Sequence, residues 1–208
     1  PYRIATMKNS DPPVLSGFTR SLAVALGERD RSTRLHSERV VRLSLELGRD
    51  CELAGNELEI LGIGAHLHDI GKIGIPDRVL QKPAPFVEDE WETMKQHPVI
   101  GERILLSLGD DRLGEAAAVV RHHHEHFDGS GYPDRLTGNA IPLYSRMISL
   151  ADSYDAIAIT RPYHKARHHS AIMDILEAES GVKHDPELLR RFCRVIEGSE
   201  LRAPVGSA

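Results

Sequence analysis

His66-Leu67-His68-Asp69-Ile70-Gly71-Lys72 sets two imidazoles, a carboxylate and an amine into an otherwise apolar run. Leu58, Leu61 and Ala65 precede His68 by ten, seven and three residues, so the helical repeat carries His68 onto a core-facing stripe. A core face normally carries Leu or Val. An imidazole beside a carboxylate is costly to bury unless something binds both. The stretch therefore points to a ligand, and to matching groups elsewhere in the chain.

Outward from it, Asn56 and Glu59 form a capping-box-like start, and the helix is expected to stop near Gly71 or Gly74. Upstream, His36, Val40, Leu43 and Leu47 make a second stripe, with N-cap chemistry from Asp30, Ser32 and Thr33. Leu15, Phe18, Leu22 and Leu26 make an earlier amphipathic helix, which could cover the core or serve as a signalling or dimer helix. Residues 1–13 are polar and proline-marked and read as a linker or the end of an upstream domain.

Downstream, Ile75-Pro76-Asp77 turns the chain and Pro83 and Pro85 mark a loop. The run from Glu88 to Gln96 is expected to be helical, with Trp91 and Met94 or Lys95 facing inward. His97 precedes Pro98, which suits a helix boundary with Pro98 opening a helix packed by Ile104, Leu105 and Leu108. A further helix over Gly114 to Glu125 turns positions 123 and 124 inward, and both are histidines. The segment from Phe127 to Pro133 has loop chemistry. Pro142 opens a helix with Leu143, Met147, Leu150 and Tyr154, on whose apolar side Asp152 sits. Asp185-Pro186 caps a last helix packed by Leu188, Leu189, Phe192 and Ile196. Little of the chain alternates, so strands should be few.

At 208 residues the chain suits one domain with a short flanking arm. The formal charge of −5 gives no basic footprint for nucleic acid. Cys51 and Cys193 fit neither a disulfide framework nor a thiolate metal site, which favours a reduced, cytoplasmic setting. No apolar run is long enough to span a bilayer. Starting at Pro1 rather than Met, the chain is expected to be a fragment of a longer protein.

Five helical segments or their ends each carry an imidazole or carboxylate on an apolar face: His36, His68 with Asp69, His97, His123 with His124, and Asp152. Satisfied core polar groups would not explain why every one is of those two types. A metal centre does, and imidazole with carboxylate suits Fe, Mn, Ni, Co or Zn. The set exceeds what one ion needs. Two ions sharing a carboxylate would use it all, with Asp69 the natural bridge. Two metals about 3.5–4 Å apart are a device for in-line displacement at phosphorus. Lys72 is either a helix C-terminal cation or, beside such a site, a phosphate clamp.

His68-Asp69-Ile70-Gly71-Lys72 with Gly131-Tyr132-Pro133 resembles the HD-GYP family, a branch of the HD-domain metal phosphohydrolases. The likeness covers roughly Leu22 to Phe192 and includes HDIGKIGIPD at 68–77, KP at 82–83, MKQHPVIG at 94–101, HHEHFDGSGYP at 123–133, IPL at 141–143, ADSYDA at 151–156, RPYHKA at 161–166 and HDPELL at 184–189. It implies an all-α HD-domain helical bundle with extra C-terminal helices. The domain would span residues 14–198, with 199–208 a flexible tail. It also implies a cyclic di-GMP phosphodiesterase giving pGpG, GMP or both, in which a hydroxide bridging two ions attacks phosphorus. Iron or manganese are the foremost metals. The family pattern selects His68 over His66, and His123 and His124 over His122. It implies His36, His68, Asp69 and Asp152 on one ion and Asp69, His97, His123 and His124 on the other. Asp69 and Lys72 would act in catalysis, while Lys72, Arg161 and Lys165 would hold substrate phosphate. The loop Gly131, Tyr132 and Pro133 would contact a diguanylate cyclase (GGDEF) domain. An upstream sensor or receiver domain, as in two-component regulation, and a homodimer accord with the same pattern.

Several positions depart from it. Ser32 stands where some members carry a glutamate for a third ion, so two metals are expected. His164 replaces an Arg or Lys in the phosphate segment, and Lys165 offers a substitute. Ala84 and Arg135 stand where glycine is usual, and His184 replaces an aromatic. His168 and His169 have no counterpart and are expected at the surface. Competing readings are a phosphohydrolase of another nucleotide and a receptor that binds cyclic di-GMP without cleaving it.

Overall fold

The computed structural model describes residues 17–29, 33–158 and 167–204. These carry ten α-helices: α1 (Gly17–Arg29), α2 (Thr33–Asp50), α3 (Asn56–Leu67), α4 (Asp77–Leu80), α5 (Glu88–Met94), α6 (His97–Leu106), α7 (Asp111–His122), α8 (Leu143–Ala158), α9 (His169–Ala178) and α10 (Pro186–Gly198). Among the described residues there is no strand, only an isolated bridge between Ser180 and His184. The all-α expectation holds.

α3 is the central helix because it is apolar on almost every side: Ile60, Leu61, Ile63, Ala65 and Leu67 are all buried. α2 lays Val40, Leu43 and Leu47 against it, and α7 adds Ala116, Val119 and Val120. α8 packs on α2 and α3 through Met147, Ile148 and Ala151. α10 closes the core with Leu188, Leu189, Phe192 and Ile196, its start capped by Asp185 as its sequence suggests. A small satellite core of Ile75, Val79 and Met94 holds α4 and α5 beside the main one. No helix among the described residues is long and apolar enough to cross a membrane.

Several local expectations are corrected. α3 has no capping box: its N-cap is Gly55, Glu57 reaches back to the Ala54 amide, and Glu59 is drawn away to Arg112. It also ends earlier, at Leu67, and a 3₁₀ turn over Ile70–Gly74 replaces its last turn. α7 starts before Gly114, because Asp110 caps it through the amides of Arg112 and Leu113, and stops at His122. α5 ends at Met94, and Trp91 faces outward, because Met94 is the α5 residue that joins the satellite core while Phe86 and Tyr132 meet the indole. α4 and α9 had no clear expectation. His169 is buried, not at the surface, because Nδ1 meets the Tyr154 hydroxyl at 3.0 Å and Nε2 meets Glu197 at 3.0 Å. His168 is exposed. Residues 199–204, expected as a flexible tail, lie against the core: Ala203 is buried and donates its amide to the Tyr154 hydroxyl at 2.8 Å. Residues 1–13, Asp30, Ser32, Arg161, His164 and Lys165 lie outside the described residues.

Candidate metal centre

Helix ends converge on one point beneath α3. α2 contributes His36 near its start and α8 contributes Asp152. His68 is the C-cap of α3 and Asp69 follows it; His97 opens α6; His123 is the C-cap of α7 and His124 follows it. The ligand atoms of His36, His68 and Asp69 lie within 4.8 Å of one another, and so do those of His97, His123 and His124. Asp69 joins the two groups. Its Oδ2 lies 3.6 Å from His68 Nε2 and its Oδ1 lies 3.4 Å from His97 Nε2. Asp152 Oδ1 lies 3.0 Å from His36 Nε2. His66 belongs to neither group, and His122 is tied instead to the Ala118 carbonyl and Asp134.

The outer nitrogen of four of the rings is tethered. His68, His97 and His123 donate Nδ1–H to the carbonyls of Ala65, Met94 and Val120 at 2.7, 2.8 and 2.6 Å. His36 Nδ1 meets Asp155 at 2.6 Å, and Arg39 grips that carboxylate in turn. For His68, His97 and His123 this fixes the tautomer and aims the Nε2 lone pair inward. Two such lone pairs, on His97 and His123, face each other at 3.4 Å. His68 Nε2 is buried with no hydrogen-bond partner. Acceptors facing acceptors in a dry interior are costly unless a cation lies among them.

The charge states agree. Burial holds His97 down at about 4 and His123 down at about 3, so both rings are neutral ligands at neutral pH. Burial opposes ionisation of Asp69, but Lys72 and the surrounding histidines outweigh it and hold the carboxyl well below its usual range. His36 behaves oppositely: burial works against its charge, yet hydrogen bonds to Asp152 and Asp155 raise it to about 9. The proton between His36 and Asp152 is one that a bound cation would displace. The donor set fits a pair of divalent ions.

Around this centre the HDIGK segment takes on separate tasks. Lys72 Nζ rests on Asp69 Oδ2 at 2.6 Å. A Cβ on Gly71 would stand 1.8 Å from the His97 carbonyl oxygen, so only glycine lets the 3₁₀ turn meet the start of α6 and hold His97 next to Asp69. The loop after α7 is fastened by Glu125, whose buried carboxylate accepts the amides of Asp134 at 2.6 Å and Leu136 at 3.1 Å. Tyr132 stacks on His124 with ring centroids 4.9 Å apart, and its amide donates to the His124 carbonyl. Arg135 adopts a left-handed φ of 56°, the physical reason glycine suits that position.

Two clefts flank the cluster. One of about 690 Å³, on the His124 side, is lined by Trp91, Lys95, Gln96, Tyr132, Arg135 and Lys183, among others. The other, of about 330 Å³, reaches Asp152 and includes Arg167 and Glu179. Lys183 borders both. All seven expected ligand residues thus come together, with Lys72 against them and Tyr132 on their rim. Four further contributors carried too weak a sequence signal. Asp155 and Glu125 reveal themselves only through tertiary hydrogen bonds. Trp91 was expected inside, and Lys183 resembles any surface lysine.

The HD domain family model matches residues 13–188. The chain is 39% identical over 173 residues to the cyclic di-GMP phosphodiesterase response regulator RpfG of Xanthomonas campestris pv. campestris, covering 83% of this chain and 46% of that protein. It is 38% identical to a cyclic di-GMP phosphodiesterase of Thermotoga maritima, covering 80% and 45%. It is 35% identical to the 3'3'-cGAMP-specific phosphodiesterase 2 of Vibrio cholerae, covering 81% and 32%. The chain thus spans less than half the length of these relatives. Among solved structures, the V. cholerae cyclic GMP-AMP phosphodiesterase V-cGAP3 superposes with a TM-score of 0.68 at 22% identity, covering 87% of this chain and 48% of that one, which shows a shared fold.

Proposed function

The chain belongs to the HD domain family, in its HD-GYP branch, and on that premise we propose that it hydrolyses cyclic di-GMP to pGpG, GMP or both. One observation carries the reading: two groups of inward-aimed ligand atoms meet at Asp69, His68 Nε2 is buried without a hydrogen-bond partner, and the Nε2 atoms of His97 and His123 face each other at 3.4 Å. His36, His68, Asp69 and Asp152 would hold one divalent ion, and Asp69, His97, His123 and His124 the other. Such ions, when bound, supply a nucleophile ionised near neutral pH and charge stabilisation at the phosphoryl oxygens. The imidazole-rich, thiolate-free set suits iron, manganese, nickel, cobalt or zinc, and the family resemblance puts iron or manganese first.

The chain's own groups do the rest. The Nδ1 tethers keep the rings in one tautomer and orientation, so binding requires little rearrangement. Lys72 holds a cation at the rim of the centre, where a phosphodiester arriving at Asp69 would meet it. Burial, with Asp69 and Asp152 nearby, raises the Tyr132 phenol above its usual range, so it stays a neutral hydrogen-bond donor. Arg161 and Lys165 are the further phosphate contacts that the family pattern supplies.

A second reading, hydrolysis of a hybrid cyclic dinucleotide, has its own support in the 35% identity to a cGAMP-specific enzyme. The likeness to a response regulator supports an upstream receiver domain and a cytoplasmic setting. The Gly131-Tyr132-Pro133 loop remains the proposed contact for a GGDEF domain. The test is to incubate metal-loaded protein with cyclic di-GMP, cGAMP, cyclic di-AMP and pGpG, and to resolve the products by chromatography. Loss of cyclic di-GMP with appearance of pGpG or GMP is expected. Turnover of the others without it would overturn the leading reading; binding of cyclic di-GMP with no turnover under any metal would make the protein a receptor. Elemental analysis after anaerobic purification identifies the ions.

A further inference from the structure

A single exposed aromatic residue on a protein surface needs no explanation. Trp91 is 41% exposed, but it is not isolated. It closes a row of rings that starts at the candidate metal centre. Tyr132 stacks on His124 at 4.9 Å, Trp91 meets Tyr132 edge-on at 6.1 Å, and Phe86 lies almost parallel to Trp91 at 6.2 Å. Phe86 does not line the 690 Å³ cleft, whereas Trp91 and Tyr132 do. Phe86 thus backs the indole from outside, and the indole forms part of the wall that leads from the reaction centre outward. The cleft is of a size that small-molecule ligands use. Beyond the rings its lining is polar: Glu92 paired with Lys95, Gln96 and Arg135.

A phosphodiester held at the metal centre brings a nucleoside with it, and that nucleoside must lie against one of the walls beside the cluster. An aromatic wall recognises the π-face of a base, and neighbouring carboxylate and amide groups recognise a purine edge. We propose that Trp91 is the stacking platform for a purine base of the substrate, and that the 690 Å³ cleft is the nucleoside lobe of the site. This rests on the cyclic-dinucleotide reading above. It adds the residue that reads the base, as distinct from those that hold the phosphate.

Trp91 is the only tryptophan in the chain, so its fluorescence reports on this one position. GMP, which is not a phosphodiester, is titrated into the metal-loaded protein, with ribose 5-phosphate as the base-free control. Saturable quenching by GMP and none by ribose 5-phosphate is expected. In steady-state assays, Trp91→Ala should raise KM for cyclic di-GMP about ten- to a hundredfold, the range of one lost base stack, with kcat within about threefold. Trp91→Phe should recover most of the loss. Quenching that grows linearly without saturating, equal quenching by both probes, or an unchanged KM in Trp91→Ala would overturn the platform. The two readings fail separately. Saturable GMP quenching without turnover of any cyclic dinucleotide would keep the platform and remove the phosphodiesterase. Turnover with an unchanged KM in Trp91→Ala would do the reverse.

Discussion

His184 shows how one substitution in a family pattern leaves a physical mark. The family resemblance leads one to expect an aromatic ring here; instead an imidazole is 2% exposed with neither ring nitrogen hydrogen-bonded. Glu179 Oε2 stands 3.2 Å from Nε2 without making a hydrogen bond to it. Burial first, then Lys183 and His126, push the ring down to about 3 from an ordinary 6.5. The sign of the pH effect follows. Above pH 6.5 the ring is neutral in both states and its contribution is constant. Below it the unfolded chain takes up a proton that the folded one refuses, so stability falls by about 1.4 kcal/mol per pH unit until about pH 3. His184→Phe should remove one proton's worth of that slope. It should also add about 1–2 kcal/mol at neutral pH by removing two unsatisfied buried atoms. Urea unfolding of both proteins at several pH values below 6.5 measures the difference; parallel slopes would contradict it.

At the scale of elements, the site depends on where helices stop, and this is what the sequence renders least clearly. The stripe through Leu61, Ala65 and His68 correctly marks His68 as inward-facing. It does not show that α3 ends at Leu67, because the break is imposed by Gly71 meeting the His97 carbonyl, a contact between segments far apart in sequence. Likewise the pattern Ala116, Val119 and Val120 turns His123 inward, but the hold on the loop behind it comes from Glu125, whose partners lie nine and eleven residues on. That hold is tight: a Cβ on Gly131 would sit 2.2 Å from the His126 amide nitrogen. The loop is also pinned to the turn before α10 through the Phe127 and Asp128 amides. Glu125→Gln keeps the shape but weakens two charge-assisted bonds and presents an amide NH₂ to backbone donors. A loss of about 2 kcal/mol is expected, together with slower turnover as Tyr132 loosens from His124. Hydrogen exchange should show faster amides at Asp134 and Leu136, with α3 and α8 unchanged. Unchanged protection at those two amides would mean the loop is held by something else.

At the scale of the whole molecule, the proposed ligands come from α2, from the ends of α3 and α7, from the start of α6 and from α8, so bound ions would tie together five separate parts of the chain. Folding brings those parts together around acceptors that face one another, a cost that the hydrophobic core of α3 must offset on its own when no cation is present. Ions that bind the folded state alone add RT ln(1 + [L]/Kd), about 2.7 kcal/mol at a hundred times Kd. For a chain of this length that corresponds to a rise in Tm of roughly 5–11 °C. A chelator should therefore lower Tm by about that amount, and added manganese or ferrous iron should restore it. Asp69→Ala should abolish the metal-dependent increment, because among the described residues its carboxylate is the one whose two oxygens approach a histidine of each group. Lys72→Ala should keep the increment and lose turnover, since its ammonium contacts Asp69 from the rim. Calorimetry of the three proteins with and without chelator, paired with metal content, separates these outcomes. An Asp69→Ala protein that still gains stability from metal, at the wild-type stoichiometry, would show that the two groups bind their ions independently and that Asp69 bridges nothing.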